Sequence, residues 1–186
     1  MALRRGDTWP SVTEILDLAG LTDYSKVPSS LLKAAAERGK EIHSWTEMID
    51  AGRMRADQAP PLIEPYLQAY ESFKRECDYE VILYEHRVYN VDWDYDGDID
   101  RIARIDGHRS VLDVKTVAVL QPSTALQTSG YEICLPKRHR RYALQLKPDG
   151  RYHLEQYKDR NDRHDFLAAA RVVRRQLRFG VEVSPL

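Results

Sequence analysis

The dipeptide Asp106-Gly107 constrains this chain more than any other feature. It sits between two runs of alternating apolar residues, and Asp-Gly in that setting is a two-residue type I′ turn signal. Such a turn sets the register of a β-hairpin. Ile105 then pairs with His108, Asp100 falls opposite Asp113, and Asp98 falls opposite Lys115. Side chains alternate along a strand, so these four charged residues are expected on one face. Ile99, Ala103, Ile105, Leu112 and Val114 take the other face, which suits a core. Arg101 interrupts that apolar face without a sequence-level reason. Directly opposed Cβ atoms lie about 4.5–5.5 Å apart, so two facing carboxylates repel unless a proton or a cation lies between them.

The remaining elements follow from local signals. Ser11 and Glu14 form a capping box for a short helix ending at Gly20. Pro28-Ser29-Ser30 opens a longer helix that Gly52 closes, with Gly39 inside it as a point of close approach or bending. Ala59-Pro60-Pro61 breaks the chain, and apolar residues at helical spacing then run to about Cys77. Residues 80–91 read as a strand, 123–134 as a helix, and 140–146 and 151–157 as strands joined by the turn Lys147-Pro148-Asp149-Gly150. Asp162 is placed to cap a last helix through Phe179. The fold class is α/β (α+β): a central mixed, mainly antiparallel sheet flanked by helices. One domain over 1–186 is expected, with an N-terminal helical part (1–78), a sheet core (79–160) and a C-terminal helix (161–186). A chain of 186 residues is long enough to bury a substantial core.

A net charge of -1 excludes a global basic field. Charge is instead local. Asp92, Asp94, Asp96, Asp98 and Asp100 form an acidic run, Lys137 to Arg141 a basic one, and Arg171, Arg174, Arg175 and Arg178 recur on the last helix. Each run reads as a solvated face, and the 137–141 run alternatively as a phosphate contact. Two cysteines, Cys77 and Cys134, are too few for a structural zinc site or a four-cysteine iron–sulfur cluster. A reducing, cytoplasmic setting is expected. No apolar run approaches membrane length, and the first residues lack a signal-peptide core, so no membrane association is expected.

Clustered hard oxygen ligands suit Mg²⁺ or Mn²⁺. Asp100 and Asp113 supply carboxylates, and the Val114 carbonyl lies between Asp113 and Lys115. An ion held by few carboxylates keeps waters that serve as nucleophiles, and a bound phosphate completes its shell. Lys115 would orient the attacking water, help deprotonate it if its own pKa were lowered, or stabilise charge on a phosphorane-like transition state. Two acids, a lysine and a metal form a minimal site for phosphodiester hydrolysis.

Four ordered stretches resemble the PD-(D/E)XK nuclease superfamily, in its RecB-like and phage-exonuclease branch. They are Arg38-Gly39-x-x-Ile42-His43, the strand Gly97-x-Ile99-Asp100-Arg101-Ile102, Val111-Leu112-Asp113-Val114-Lys115-Thr116, and Gln127-x-x-x-Tyr131. Together they span roughly residues 30 to 160. The resemblance implies a restriction-endonuclease-like core and a metal-dependent deoxyribonuclease, an exonuclease of phage or recombination and repair type. It implies Asp100, Asp113, the Val114 carbonyl and His43 as metal ligands and Lys115 as the catalytic lysine. Gln127 and Tyr131 would help place the DNA backbone or the lysine. The implied cofactor is Mg²⁺ or Mn²⁺, and the implied partner is DNA, as double-stranded ends or single strands, in a bacterial or phage-infected cell. A homo-oligomer or a recombination partner protein stays open. Relatives with a four-cysteine iron–sulfur cluster are disfavoured by the cysteine count.

Three rivals remain in view. Asp92-x-Asp94-x-Asp96-Gly97 matches the start of an EF-hand loop, but Ala103 stands where its closing Glu belongs, which leaves at most a non-EF calcium loop. A carboxylate-pair glycosidase does not need Lys115. The third is an inactive nuclease-like protein that holds nucleic acid or calcium. Glu47 lies four residues after His43 and shares its helix face, as surface or as a partner to the histidine.

Overall fold

The computed structural model describes residues 9–25 and 27–180. The ends of the expected N-terminal and C-terminal parts, 1–8 and 181–186, lie outside the described residues. The helices are α1 (Val12–Leu18), α2 (Ser29–Asp50), α3 (Glu64–Glu76), α4 (Ser123–Ile133) and α5 (Asn161–Arg178). The strands are β1 (Tyr79–Asn90), β2 (Tyr95–Ile105), β3 (His108–Lys115), β4 (Arg140–Leu146) and β5 (Tyr152–Tyr157). They form one five-stranded sheet in the order β1-β2-β3-β4-β5. All neighbours are antiparallel except β3 and β4. A parallel pair needs a long crossover, and α4 supplies it.

The Asp106-Gly107 turn forms as its sequence requires, with φ of 48° and 74° at the two positions. Ile105 pairs with His108, and the ladder runs back to Arg101–Leu112. The Ser11–Glu14 capping box at α1 is also present. The cap expected at α5 is not: Arg160 occupies that position without a side-chain bond. Asp162 instead accepts from Arg141 Nη2 at 2.7 Å, because a largely buried guanidinium needs a carboxylate more than a helix end does.

Helices cover both faces of the sheet. On one face, Ile42 and Ile49 of α2 and Leu67, Tyr70 and Phe73 of α3 pack on Ala103, Ile105, Leu112, Val114, Leu144 and Leu146. On the other, Val12 and Ile15 of α1, Tyr131 of α4 and Phe166 and Val173 of α5 pack on Val88, Tyr95, Ile99, Ile102 and Val111. Fully burying one such aliphatic or aromatic side chain is worth about 1.5–3 kcal/mol, so α2 and α4 are firmly held where they cross the sheet.

Strict alternation along β2 does not hold. Ile99 joins the α1/α4/α5 core, not the core of Ala103 and Ile105. Because Ile102 shares the core of Ile99, the inward parity switches around Asp100 and Arg101. Arg101 lies at this switch and is fully buried. Its Nε donates to Asp50 Oδ2 at 2.8 Å, its Nη2 to Thr46 Oγ1 at 3.0 Å and its Nη1 to the Asp100 carbonyl at 2.7 Å. Tyr70 Oη also donates to Asp50 Oδ2, at 2.6 Å, and Lys74 Nζ lies 3.0 Å from Asp50 Oδ1. A charge that deep is tolerated only with a complete set of partners, and removing one partner of a buried pair costs about 3–5 kcal/mol. The network ties α2 and α3 to β2 beside Asp100.

Candidate metal and phosphodiester site

The site forms where β2 and β3 stop pairing. The predicted register would next bring Asp100 opposite Asp113, but the ladder ends at Arg101–Leu112. The Asp100 carboxylate takes over: its Oδ2 accepts the Val114 N–H at 2.7 Å. Asp98 does not reach Lys115. It is half exposed and paired with Arg87 of β1.

His43 reaches the same point from α2. Its Nε2 lies 2.9 Å from the Val114 carbonyl oxygen, and its Nδ1 lies 3.5 Å from Asp100 Oδ1. Gly39, one turn earlier, faces Thr116 just past β3; a Cβ there would meet Thr116 Oγ1 at 3.6 Å, an ordinary contact. Close approach therefore does not demand glycine at this position.

Asp113 is buried, and Lys115 Nζ sits 2.9 Å from its Oδ2. The two form a close ion pair. Burial raises the Asp113 carboxyl to about 6; Lys115 opposes the rise and Asp100 adds to it. Burial would lower His43, but the charge and hydrogen bond of Asp100, with Asp113 behind it, raise it to about 9. Burial likewise works against the Lys115 ammonium, and Asp113 then Asp100 outweigh it and raise its pKa. Lys115 thus stands as an ammonium, a donor and a positive charge, and not as a base. Burial opposes the Asp100 carboxylate, yet His43 and then Lys115 hold its pKa below the usual value.

Gln127 and Tyr131 arrive from α4 on the opposite layer. Gln127 Nε2 donates to Tyr131 Oη at 3.0 Å. Burial, then Asp113 and Asp100, raise the pKa of the Tyr131 phenol. Their hydrogen bond is to each other; among the described residues neither bonds to Asp100, Asp113 or Lys115. Tyr131 is seated by Gly97, where a Cβ would lie 2.7 Å from its ring.

The cluster around His43 and Asp100 could hold a metal ion and selects no particular one. His43 Nε2 donates to the Val114 carbonyl oxygen at 2.9 Å, so that nitrogen must give up its proton before it can serve as a ligand. Asp113 Oδ2 is taken up by Lys115 at 2.9 Å, so that oxygen is not an empty ligand position.

The acidic run upstream does not converge on a calcium centre. Asp94 pairs with Arg174 and, at 3.8 Å, with Arg178; Asp96 pairs with Arg87 at 2.9 Å. The Asp94 and Asp96 carboxylates each face an arginine and not a shared point. The basic run lies elsewhere too. Arg140 pairs with Ser110 and Gln145 with Lys115, so residues 137–140 stand at the far end of β3, about 16 Å from the lysine at roughly 3.3 Å per residue.

One residue of the site escaped the sequence. Glu85 of β1 approaches His43 and Asp100, with ligand atoms of all three within 4.8 Å of one another. Burial, then Asp100 and Glu47, raise its pKa. Within Tyr84-Glu85-His86 it reads as an ordinary strand residue, and only the β1–β2 register would have pointed to it.

No family model and no curated protein matches the chain. A solved structure described as the crystal structure of SSO0001 is similar over 92% of this chain and 76% of that one, with 17% identity and a TM-score of 0.44. A likeness that low carries no argument.

Proposed function

We propose that this chain is a Mg²⁺- or Mn²⁺-dependent deoxyribonuclease of the PD-(D/E)XK kind, an exonuclease in phage or recombination DNA processing. The observation that supports it best is the meeting of His43, Asp100, the Val114 backbone and the Asp113–Lys115 pair at one end of β3. His43, Asp100, Asp113 and the Val114 carbonyl would hold the ion. When bound, it supplies a Lewis acid for a phosphodiester oxygen and a water of lowered pKa. Lys115 would orient an attacking water and offset charge building on the phosphoryl oxygens. Asp113 fixes the lysine, and the Val114 amide fixes Asp100. Tyr131 and Gln127 wall the site from α4.

Purified protein with linear and circular DNA, in Mg²⁺, Mn²⁺ or EDTA, tests the reading. Metal-dependent loss of linear DNA alone is the expected result. Lys115→Ala and Asp113→Asn should abolish cleavage while circular dichroism stays that of the parent; full activity in either variant sinks the mechanism.

A second reading has one observation behind it. The site's charges already pair as His43–Asp100 and Lys115–Asp113, so the chain can hold this arrangement without a cation. It would then be a nuclease-like protein that binds nucleic acid, or calcium, without cutting. Mn²⁺ and Ca²⁺ calorimetry on wild type and Asp100→Ala separates the two, because the nuclease needs Asp100 to bind Mn²⁺.

A further inference from the structure

The C-terminal half of α5 carries Arg171, Arg174, Arg175 and Arg178 at spacings of three and four, which places them on one helical face. No Asp or Glu occurs from Phe166 to Gly180. Like charges one turn apart weaken a helix, so this face does not serve stability as a solvated face of alternating acids and bases does. The helix dipole accounts for Arg175 and Arg178 in the last turn. Its effect fades within that turn, and Arg171 lies before it.

Two of the arginines hold the tip of the β1–β2 hairpin. Arg174 pairs with Asp94, its Nη1 donates to the Asp92 carbonyl at 3.4 Å, and Arg178 Nη2 lies 3.8 Å from the same Asp94 carboxylate. One carboxylate thus serves two guanidiniums. Arg171 and Arg175 have no acidic partner among the described residues. The Arg175 guanidinium instead lies 5.1 Å over the ring of Phe179, a cation–π contact, and Phe179 is 68% exposed. The four arginines and Phe179 line an open cleft of about 350 Å³, and no acid among the described residues lines it with them.

We propose that this cleft binds single-stranded nucleic acid, with Arg171, Arg175 and Arg178 on phosphates and a base stacked on Phe179. A cationic groove beside an exposed aromatic ring is the combination by which proteins hold single strands without reading sequence. The planar fork of arginine suits phosphate oxygens. A membrane surface calls for an exposed apolar helix face, whereas Phe166, Ala169, Ala170 and Val173 of α5 are buried in the core. The choice of nucleic acid over another polyanion rests on the nuclease reading. The position agrees with it. Asp94, which anchors the stripe, precedes Asp100 by six residues, at most about 20 Å at roughly 3.3 Å each. A strand leaving the site covers that span in about six nucleotides at roughly 3.4 Å of rise.

Fluorescence anisotropy of a labelled oligothymidylate in EDTA reads binding without cleavage. Wild type should bind, and more weakly as salt rises. Arg171→Gln with Arg175→Gln should weaken binding about tenfold or more at about 0.1 M salt. It should also flatten the log–log salt slope by about 1.4, two phosphates at roughly 0.7 each. Phe179→Ala should weaken binding about tenfold with the slope unchanged. Lys137→Gln with Arg140→Gln removes the same net charge outside the cleft and should change neither quantity. All variants should keep the circular dichroism spectrum of the parent. The cleft is overturned by equal losses in the two double variants, by wild-type binding in the Arg171→Gln with Arg175→Gln or Phe179→Ala chains, or by a wild type that ignores the oligonucleotide, whether or not it binds phosphatidylserine vesicles. Binding at the cleft by a chain that never cuts DNA in Mg²⁺ or Mn²⁺ leaves the cleft standing and sinks the nuclease reading alone.

Discussion

Single residues at this site carry more than one duty, and His43 shows it. Its pKa is about 9 in the folded chain, against about 6.5 when unfolded. The folded chain binds that proton more tightly, so the pair with Asp100 contributes its full stability below pH 6.5 and loses it as pH rises through 9. In EDTA, urea unfolding should show stability falling between pH 6.5 and 9, by at most about 3 kcal/mol. His43→Gln should flatten that slope; an unchanged slope would show that another group causes it. At this scale much was legible. Asp100, Asp113 and Lys115 lie close together as expected, but through the Val114 amide and the Asp113–Lys115 ion pair, because the ladder that the turn starts ends at Arg101–Leu112. Arg101 and Glu85 were not legible, because their reasons lie far away in sequence: Asp50 on α2 for the first, a gap in the β1–β2 ladder for the second.

Elements meet at the site through two glycines with opposite demands. An alanine Cβ at Gly97 would lie 2.7 Å from the Tyr131 ring and 3.2 Å from Val12 Cγ2, inside contact distance. Gly97→Ala should cost about 1–3 kcal/mol, as overpacking does, and should lower activity by moving Tyr131. At Gly39 the Cβ has room, and alanine is favoured in a helix interior by about 1 kcal/mol. Gly39→Ala should therefore raise the melting temperature. Thermal melts of both variants check the pair, and similar shifts in the same direction would refute the packing argument. Helix and strand positions follow local signals closely here: capping at Ser11, glycine at position 20, and the Lys147 to Gly150 turn all fall where their chemistry predicts. The switch of faces near Ile99 was not legible, because it falls where Glu85 and Asp100 drop out of the β1–β2 pairing, which no local signal marks.

Across the whole molecule, the site sits at one end of the sheet with a helical layer on each side. α2 brings His43 from one layer and α4 brings Gln127 and Tyr131 from the other. The basic residues 137–140 sit at the opposite end, about 16 Å along β3 by strand rise. Charges of exposed groups are screened over about 8 Å at physiological salt. Lys137→Glu combined with Arg140→Glu should therefore leave metal-dependent cleavage of short duplexes unchanged. A large loss would mean that DNA runs the length of β3.

The bond from the Val114 amide to Asp100 has a consequence for how this chain can change over time. Lys115 and Asp113 can be exchanged without stranding a main-chain donor, whereas loss of an acceptor at position 100 leaves a backbone N–H unbonded where the sheet ladder has already ended. On the nuclease reading proposed above, a descendant that gave up cutting would thus be free to discard its lysine first. It would keep an aspartate or asparagine at position 100 long after the chemistry had gone, and that remnant would mark its ancestry.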